Sequence, residues 1–558
     1  MKRSSNPGAS MESQVTRRNF LGTTGAALLA GMAASPVAGA QDSAAEPGET
    51  AAAGGKRPNL VLFMPDELRA DALACYGNPV CHTPNLDRLA AEGTRFANCH
   101  VQYPVCGASR CSLLTGWPTS VRGHRSLMYF LRPEEPNLFR YLRQSGYDVF
   151  WFGKNDALAA QSFYDSVTAW NYLDRKPVGA AAGDGGGERA GGPTVTYART
   201  FISKGRQERT ATGDYRNVEA AIKILERREA DRPYCIFLPL TSPHPPYGAP
   251  EGFRGMHRPG DITGLRPIGL PRKPNYIEAI RKEYGIDKLP ESTFRQIRAL
   301  YYDMVSYSDW LLGEVMEAME RTGREKDTAL FVLSDHGDYA GDYGLVEKWP
   351  SGLEDTLTHV PVIARVPGGN AGGMCKEMTE LYDVMATCLE LAGTRAHHTH
   401  FARSLMPQIR GAGGDPERCA YAEGGYNLYE PQCFEDASHD PEALYFPKEN
   451  LEVAHPETIT RAAMVRTPDA KLIARPQGQS ELYLYASDPQ ELHNRYGEAS
   501  VAAVETRLQE KLMNWYLNTT GIAPMDKDQR GFPPFNETPE FAVEAAVKSI
   551  VDGAGKGI

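Results

Sequence analysis

After Ala40 no stretch of the chain approaches the roughly 20 consecutive apolar residues that a membrane-spanning helix needs, which excludes an integral membrane protein. A basic excess is also missing. The formal net charge is −10, whereas proteins that neutralise nucleic-acid phosphates carry a basic patch or stripe, so a general nucleic-acid binder is excluded. Cysteine is sparse, 10 in 558 residues, too few to staple so long a chain. Cys235, inside an apolar run, reads as plain core, and only Cys75 and Cys81 stand open as a pair that oxidation could join. No internal repeat is visible, which leaves out repeat architectures. What remains is a globular chain, 41% hydrophobic, able to bury a large core and, by length, to hold roughly two to four domains.

The first forty residues differ from the rest. "TRRNFLGTTGAALLAGMAASPVAGA" places Arg17 and Arg18 before a short apolar run that ends in Ala38, Gly39 and Ala40. The order of charged, apolar and small segments predicts a twin-arginine signal peptide over residues 1–40, cleaved after Ala40, and a periplasmic or secreted mature protein. Residues 41–56, rich in Ala, Gly, Glu and Ser, read as a flexible linker.

From Arg57 onward, apolar β-rich runs alternate with helical patterns. The runs are "NLVLFMP" (59–65), "YDVFWFG" (147–153), "YCIFLPL" (234–240), "TALFVLS" (328–334) and "VPVIARV" (360–366). Helical periodicity marks "PNLDRLAAEG" and "RALYYDMVSYSDWLLGEVMEAMERTG". The alternation predicts an α/β domain over 57–440, with a mostly parallel central sheet covered by helices on both faces. "GAAAGDGGGERAGGP" (179–193) reads as an exposed inserted loop. After about residue 440, "AAMVRTPDAKLIARP" and "SELYLYASDP" predict a small antiparallel sheet, and "VAAVETRLQEKLMNWYLNT" an amphipathic helix. A smaller α+β domain is therefore expected over 441–525, followed by a tail, 526–558.

Several apolar runs end in chemically capable residues: Asp66 and Glu67, then Lys154 and Asp156, then His244, then Asp335 and His336. In an open α/β sheet, ligands bind beyond the carboxyl ends of the strands, so these residues converge on one edge. "PVCGASRCSLLTG" adds Cys106 at a helix start, where unpaired N–H groups and the helix dipole favour an anion and ease ionisation of a thiol. The oxygens of Asp66, Glu67 and Asp335 favour Ca²⁺ or Mg²⁺, and His336 can complete the site. Arg110, Lys154 and Lys348 add positive charge. A dication with fixed cations suits a tetrahedral oxyanion ester, on whose oxygens charge grows in the transition state. The expected substrate is a sulfate or phosphate ester.

"CGASRCSLLTG", preceded by "HTPNLDRLAAEGTRF" and followed by "GYDVFWFGK", "SPHPPY" and "SDHGDYAGDYGLVEK", resembles the type I, formylglycine-dependent sulfatases of the alkaline phosphatase superfamily. The resemblance covers nearly all of residues 57–520, including "ELYLYASDPQELHN", and implies the large sandwich fold of that superfamily. It also implies that a maturation enzyme oxidises Cys106 to formylglycine, whose hydrate attacks sulfur and later collapses to the aldehyde. By position, Asp66, Asp335, His336 and residue 106 are implied to bind Ca²⁺, with Glu67 standing where the family has a second Asp. Arg110 would hold the diol, Lys154 and Lys348 the sulfate oxygens, and His244 the sulfate or the leaving alcohol. Asp335 is a further candidate to assist deprotonation of the nucleophile.

The chain departs from the family pattern at three points. Ala108 stands where Pro is commonest. Glu67 replaces the usual second Asp, with a methylene that either reaches the metal or swings away. "GKND" places Asp156 where the pattern Gly-Lys-x-His has histidine, and His124 of "RGHR" or Asp156 itself is expected to take over. The competing readings are a phosphonate or phosphodiester hydrolase of the same superfamily and a catalytically silent carbohydrate-binding relative. "HGDYAGDYGLVEKW" followed by "THVPVIARVPG" resembles the iduronate-type sulfatases, which points to a sulfated polysaccharide or its fragments as substrate.

Overall fold

The computed structural model describes residues 57–171, 195–197, 200–227, 232–430 and 443–524. The expected signal peptide, linker, glycine-rich insert and tail lie outside these residues.

At the centre of the fold is β1 (Asn59–Met64), six residues that are all buried. A strand buried on both faces reads as a continuous apolar run, which is why "NLVLFM" was legible. It belongs to an eight-stranded sheet of order β10-β2-β9-β8-β1-β7-β3-β4. The other strands are β2 (Thr94–His100), β3 (Asp148–Trp151), β4 (Ala169–Trp170), β7 (Tyr234–Pro239), β8 (Thr328–Leu333), β9 (His359–Arg365) and β10 (Gly373–Glu380). A separate ribbon pairs β5 (Val195–Tyr197) with β6 (Ile202–Ser203). Within the large sheet β9 alone runs against its neighbours, so the sheet is mostly parallel.

Alternation along β1 divides two cores. Val61 and Phe63 pack with the helices Pro84–Glu92 (α1), Gly213–Arg227 and Glu291–Arg321 on one face. Leu60, Leu62 and Met64 pack with Cys106–Thr115 (α2), Leu138–Gln144 and Asp383–Leu391 on the other. Parallel strands therefore deliver β1, β3, β7 and β8 to the same edge.

A second, antiparallel sheet joins β11 (Ala420–Gly424), β12 (Ala462–Arg466), β13 (Ala470–Ala474) and β14 (Glu481–Leu484). The helix Ala502–Thr519 covers it with Leu508, Leu512 and Trp515. The first strand lies ahead of residue 440, where the change of pattern was expected. "AYAEG" is short, carries no β-branched residue and runs into a glycine pair, so nothing in it announces a strand. This sheet supports the large domain at a functional point: Trp349 Nε1 donates to the Thr458 carbonyl at 2.9 Å and Gly425 N to the Pro350 carbonyl at 2.7 Å, which holds the loop carrying Lys348.

Candidate active site

The first turn of α2 begins at Cys106, after Val105, whose extended backbone (φ −138°) offers no side-chain cap. All ten residues of α2 are buried, so the helix is locked on every side and Cys106 is held on a rigid support. Its thiol lies 3.2 Å from His336 Nε2, 3.5 Å from Asp66 Oδ1 and 3.7 Å from Lys154 Nζ. One turn on, Arg110 Nε donates to Asp335 Oδ2 at 2.8 Å and Nη2 reaches Asp66 Oδ2 at 3.1 Å. Arg110 Nη1 is buried with no hydrogen-bond partner among the described residues, a donor left for an incoming oxygen.

The ends of the strands complete the cluster. Beyond β3, Lys154 Nζ lies 2.5 Å from Asp66 Oδ2 and 3.0 Å from Asp156 Oδ2. Beyond β8, His336 donates Nδ1–H to the Gly337 carbonyl at 2.8 Å. That bond leaves the Nε2 lone pair facing residue 106 and Asp66, as a metal-binding imidazole requires. Asp66, Cys106, Asp335 and His336 place one ligand atom each within 4.8 Å of one another. Two carboxylates, an imidazole nitrogen and the atom at residue 106 form a buried candidate site for a metal ion. Asp335 Oδ1 is braced by the N–H groups of Glu67 (3.2 Å) and His336 (3.0 Å).

Beyond β7, His244 lies between the cis bonds Ser242–Pro243 and Pro245–Pro246 and donates Nδ1–H to the Pro245 carbonyl at 2.6 Å. Its Nε2 is 3.3 Å from Lys348 Nζ and 3.2 Å from Glu67 Oε1. Lys348 also pairs with Glu67 and with Glu347, the latter at 3.0 Å.

The electrostatics follow from burying so many charges together. Burial pushes Asp66 up, but Lys154, Arg110, His244 and His336 together carry it well below the usual carboxylate range. Burial, then Lys348 and Lys154, holds His244 well below its ordinary value. Burial works against the charge of Lys154, yet Asp156 and Asp66 raise it overall. Cys106 goes the opposite way from the expectation for a helix start: burial first, then Asp66, pushes the thiol well up, so helix position does not make it a thiolate.

The structure brings together Asp66, Glu67, Cys106, Arg110, Lys154, Asp156, His244, Asp335, His336 and Lys348. His124 bonds none of them: its ring nitrogens face Glu135 Oε1 at 3.1 Å and the Tyr129 carbonyl at 2.9 Å, and its ring stacks on Tyr129. Of the two candidates for the missing histidine, Asp156 is the one beside Lys154. Glu67, expected among the metal ligands, turns its carboxylate to Lys348 and His244. Cys75 and Cys81 are both free.

Three contributors carry no signal in the sequence. Glu347 precedes a motif lysine in an irregular loop. Tyr301, read as one more apolar helix position, donates its hydroxyl to the Glu67 carbonyl at 2.7 Å. Ser334 Oγ accepts Leu68 N at 2.8 Å and donates to the Pro65 carbonyl at 2.9 Å, tying the ends of β1 and β8 together.

The sulfatase family profile matches residues 58–394, more than half of the chain. Human iduronate 2-sulfatase is 26% identical over 429 residues, 70% of this chain and 77% of that protein. The N-acetylglucosamine-6-O-sulfatase of Bacteroides thetaiotaomicron is 23% identical over 82% of this chain and 86% of its own length. Among solved structures, the phosphonate monoester hydrolase of Agrobacterium radiobacter superposes with a TM-score of 0.65 at 22% identity, covering 83% of this chain and 96% of that one. With this match and this site, the chain belongs to the sulfatase family of the alkaline phosphatase superfamily and is a sulfuric ester hydrolase.

Proposed function

We propose that the protein removes sulfate from a sulfated saccharide, using a formylglycine derived from Cys106 and a Ca²⁺ ion held by Asp66, Asp335, His336 and residue 106. The observation that carries the reading is the position of Cys106: first residue of a buried helix, within 3.7 Å of a carboxylate, an imidazole and an ammonium group. A hydrated aldehyde at that position supplies a hydroxyl nucleophile and the cation a Lewis acid. Arg110 orients the group at residue 106 with its free Nη1. Lys154 and Lys348 receive the negative charge of the sulfate oxygens, and neither has to reorganise, because Asp66, Asp156, Glu67 and Glu347 already fix them. His244, with Nδ1–H spent on the Pro245 carbonyl, turns Nε2 toward the sulfate or the leaving alcohol, and it serves either one only when that nitrogen carries a proton. Asp156 is the group beside Lys154 that takes the place of the family histidine.

Maturation requires a formylglycine-generating enzyme. Export in the folded state through the twin-arginine translocase suits it, because oxidation of Cys106 is finished before the protein leaves the cytoplasm. Arg17, Arg18 and the run to Ala40 support that route and a periplasmic or secreted location.

Defined sulfated mono- and disaccharides, with an aryl phosphodiester and a phosphonate monoester as comparators, test the substrate class. Release of inorganic sulfate from a saccharide, at a higher kcat/KM than for either phosphorus ester, is the expected result. Faster turnover of the phosphonate monoester with no saccharide desulfated contradicts the reading.

A further inference from the structure

Asp66 and Glu67 are adjacent carboxylates, both fully buried, that serve different partners. Asp66 faces Cys106, Arg110, Lys154 and His336. Glu67 has a left-handed backbone (φ 65°), uncommon for a residue with a side chain, pinned by its N–H on Asp335 and its carbonyl on Tyr301. In that conformation Glu67 Oε1 accepts from Lys348 Nζ, which also donates to His244 Nε2 at 3.3 Å. Its carboxylate is absent from the group formed by Asp66, Asp335, His336 and residue 106. Glu67, Cys106 and His244 form a second potential ligand group, in which Lys348 Nζ bonds both Glu67 and His244.

We propose that Glu67 is a positioning residue, and not a ligand of the cation: its carboxylate fixes Lys348, and through Lys348 the ring of His244, beside residue 106. What Lys348 and His244 act upon rests on the sulfatase reading above. The placing of the Glu67 carboxylate on Lys348 does not. The longer side chain is the point of the replacement. An aspartate on the same backbone is one methylene short of Lys348 Nζ.

The test compares wild type with Glu67→Gln, Glu67→Asp and Asp335→Asn as full-length proteins. Each is stripped with chelator and titrated with Ca²⁺, and the readouts are bound calcium by atomic emission and the Ca²⁺-induced rise in melting temperature. Kinetics on a sulfate ester follow. Glu67→Gln and Glu67→Asp are expected to bind Ca²⁺ with an affinity loss below the ~10–100-fold that follows removal of a metal-orienting partner, while Asp335→Asn exceeds it. Glu67→Asp is expected to lower kcat about 100-fold, the cost of misplacing catalytic groups by about 1 Å. Glu67→Gln, whose amide oxygen still accepts from Lys348, should retain more activity. Loss of Ca²⁺ from Glu67→Gln to the extent seen in Asp335→Asn overturns the proposal, as does a Glu67→Asp enzyme with wild-type affinity and turnover. Should wild type release no sulfate from any ester, the sulfatase reading falls, and the Ca²⁺ titration still decides whether Glu67 is a ligand.

Discussion

At the scale of single residues, the site was legible wherever chemistry followed an apolar run. Asp66, Lys154, His244, Asp335 and His336 each stand within a few residues of a buried strand's end, and the parallel sheet gathers them. Lys348 was legible only through the motif around it. Glu67 was visible as a departure, but its direction was not, because a left-handed backbone at a glutamate leaves no trace in composition. His124 is a different case. The histidine missing from the Gly-Lys-x-His pattern suggested a role for it, and the fold spends both its ring nitrogens on Glu135 and Tyr129. His124→Ala is therefore expected to leave kcat near wild type and to cost about 1–3 kcal/mol of stability, because Glu135 Oε1 loses its buried partner. Denaturant unfolding alongside steady-state kinetics checks both parts; a large fall in kcat with unchanged stability would return His124 to the chemistry.

At the scale of elements, legibility followed burial. β1, β7 and β8 are buried along their whole length and announce themselves as unbroken apolar runs. β2, "TRFANCH", and β10, "GMCKEMTE", lie at the margin of the sheet, where partly exposed positions take polar residues, and neither was read as a strand. One connection controls catalysis directly. Gly153 joins β3 to Lys154 with φ 136°, and a Cβ there would lie 2.2 Å from the Pro239 carbonyl oxygen at the end of β7. That same oxygen accepts the Lys154 N–H at 2.8 Å. Gly153→Ala must part β3 from β7 just where Lys154 is set. A loss of roughly 2 kcal/mol or more in stability is expected, with a fall in kcat/KM at a saturating level of Ca²⁺. Wild-type kcat/KM in a destabilised Gly153→Ala protein would show that Lys154 does not depend on this turn.

At the scale of the whole molecule, burial of polar groups between layers sets the response to acid. His398 donates Nε2–H to the Thr115 carbonyl at the end of α2 (2.7 Å) and accepts the Tyr141 hydroxyl on Nδ1 (2.7 Å), which fixes the neutral imidazole. Burial holds His398 down to about 4, against 6.5 for a free side chain. Between those values the unfolded chain binds the extra proton, so this contribution is intact above pH 6.5 and is lost as pH falls toward 4, by at most about 3 kcal/mol. His398→Gln is expected to unfold over a narrower span of melting temperatures between pH 7 and pH 5 than wild type. An unchanged pH slope in the variant would remove His398 from the account.

The central claim is the identity of residue 106 in the active protein, and mass spectrometry of one peptide tests it most directly. Trypsin cleavage after Arg95 and Arg110 releases the segment containing Cys106 from enzyme produced in its native host and shown to release sulfate. An aldehyde or its hydrate is expected at residue 106, captured by a hydrazide, with turnover many orders lower in Cys106→Ala and the fold retained. Unmodified cysteine throughout that peptide, in enzyme that is fully active, would contradict it.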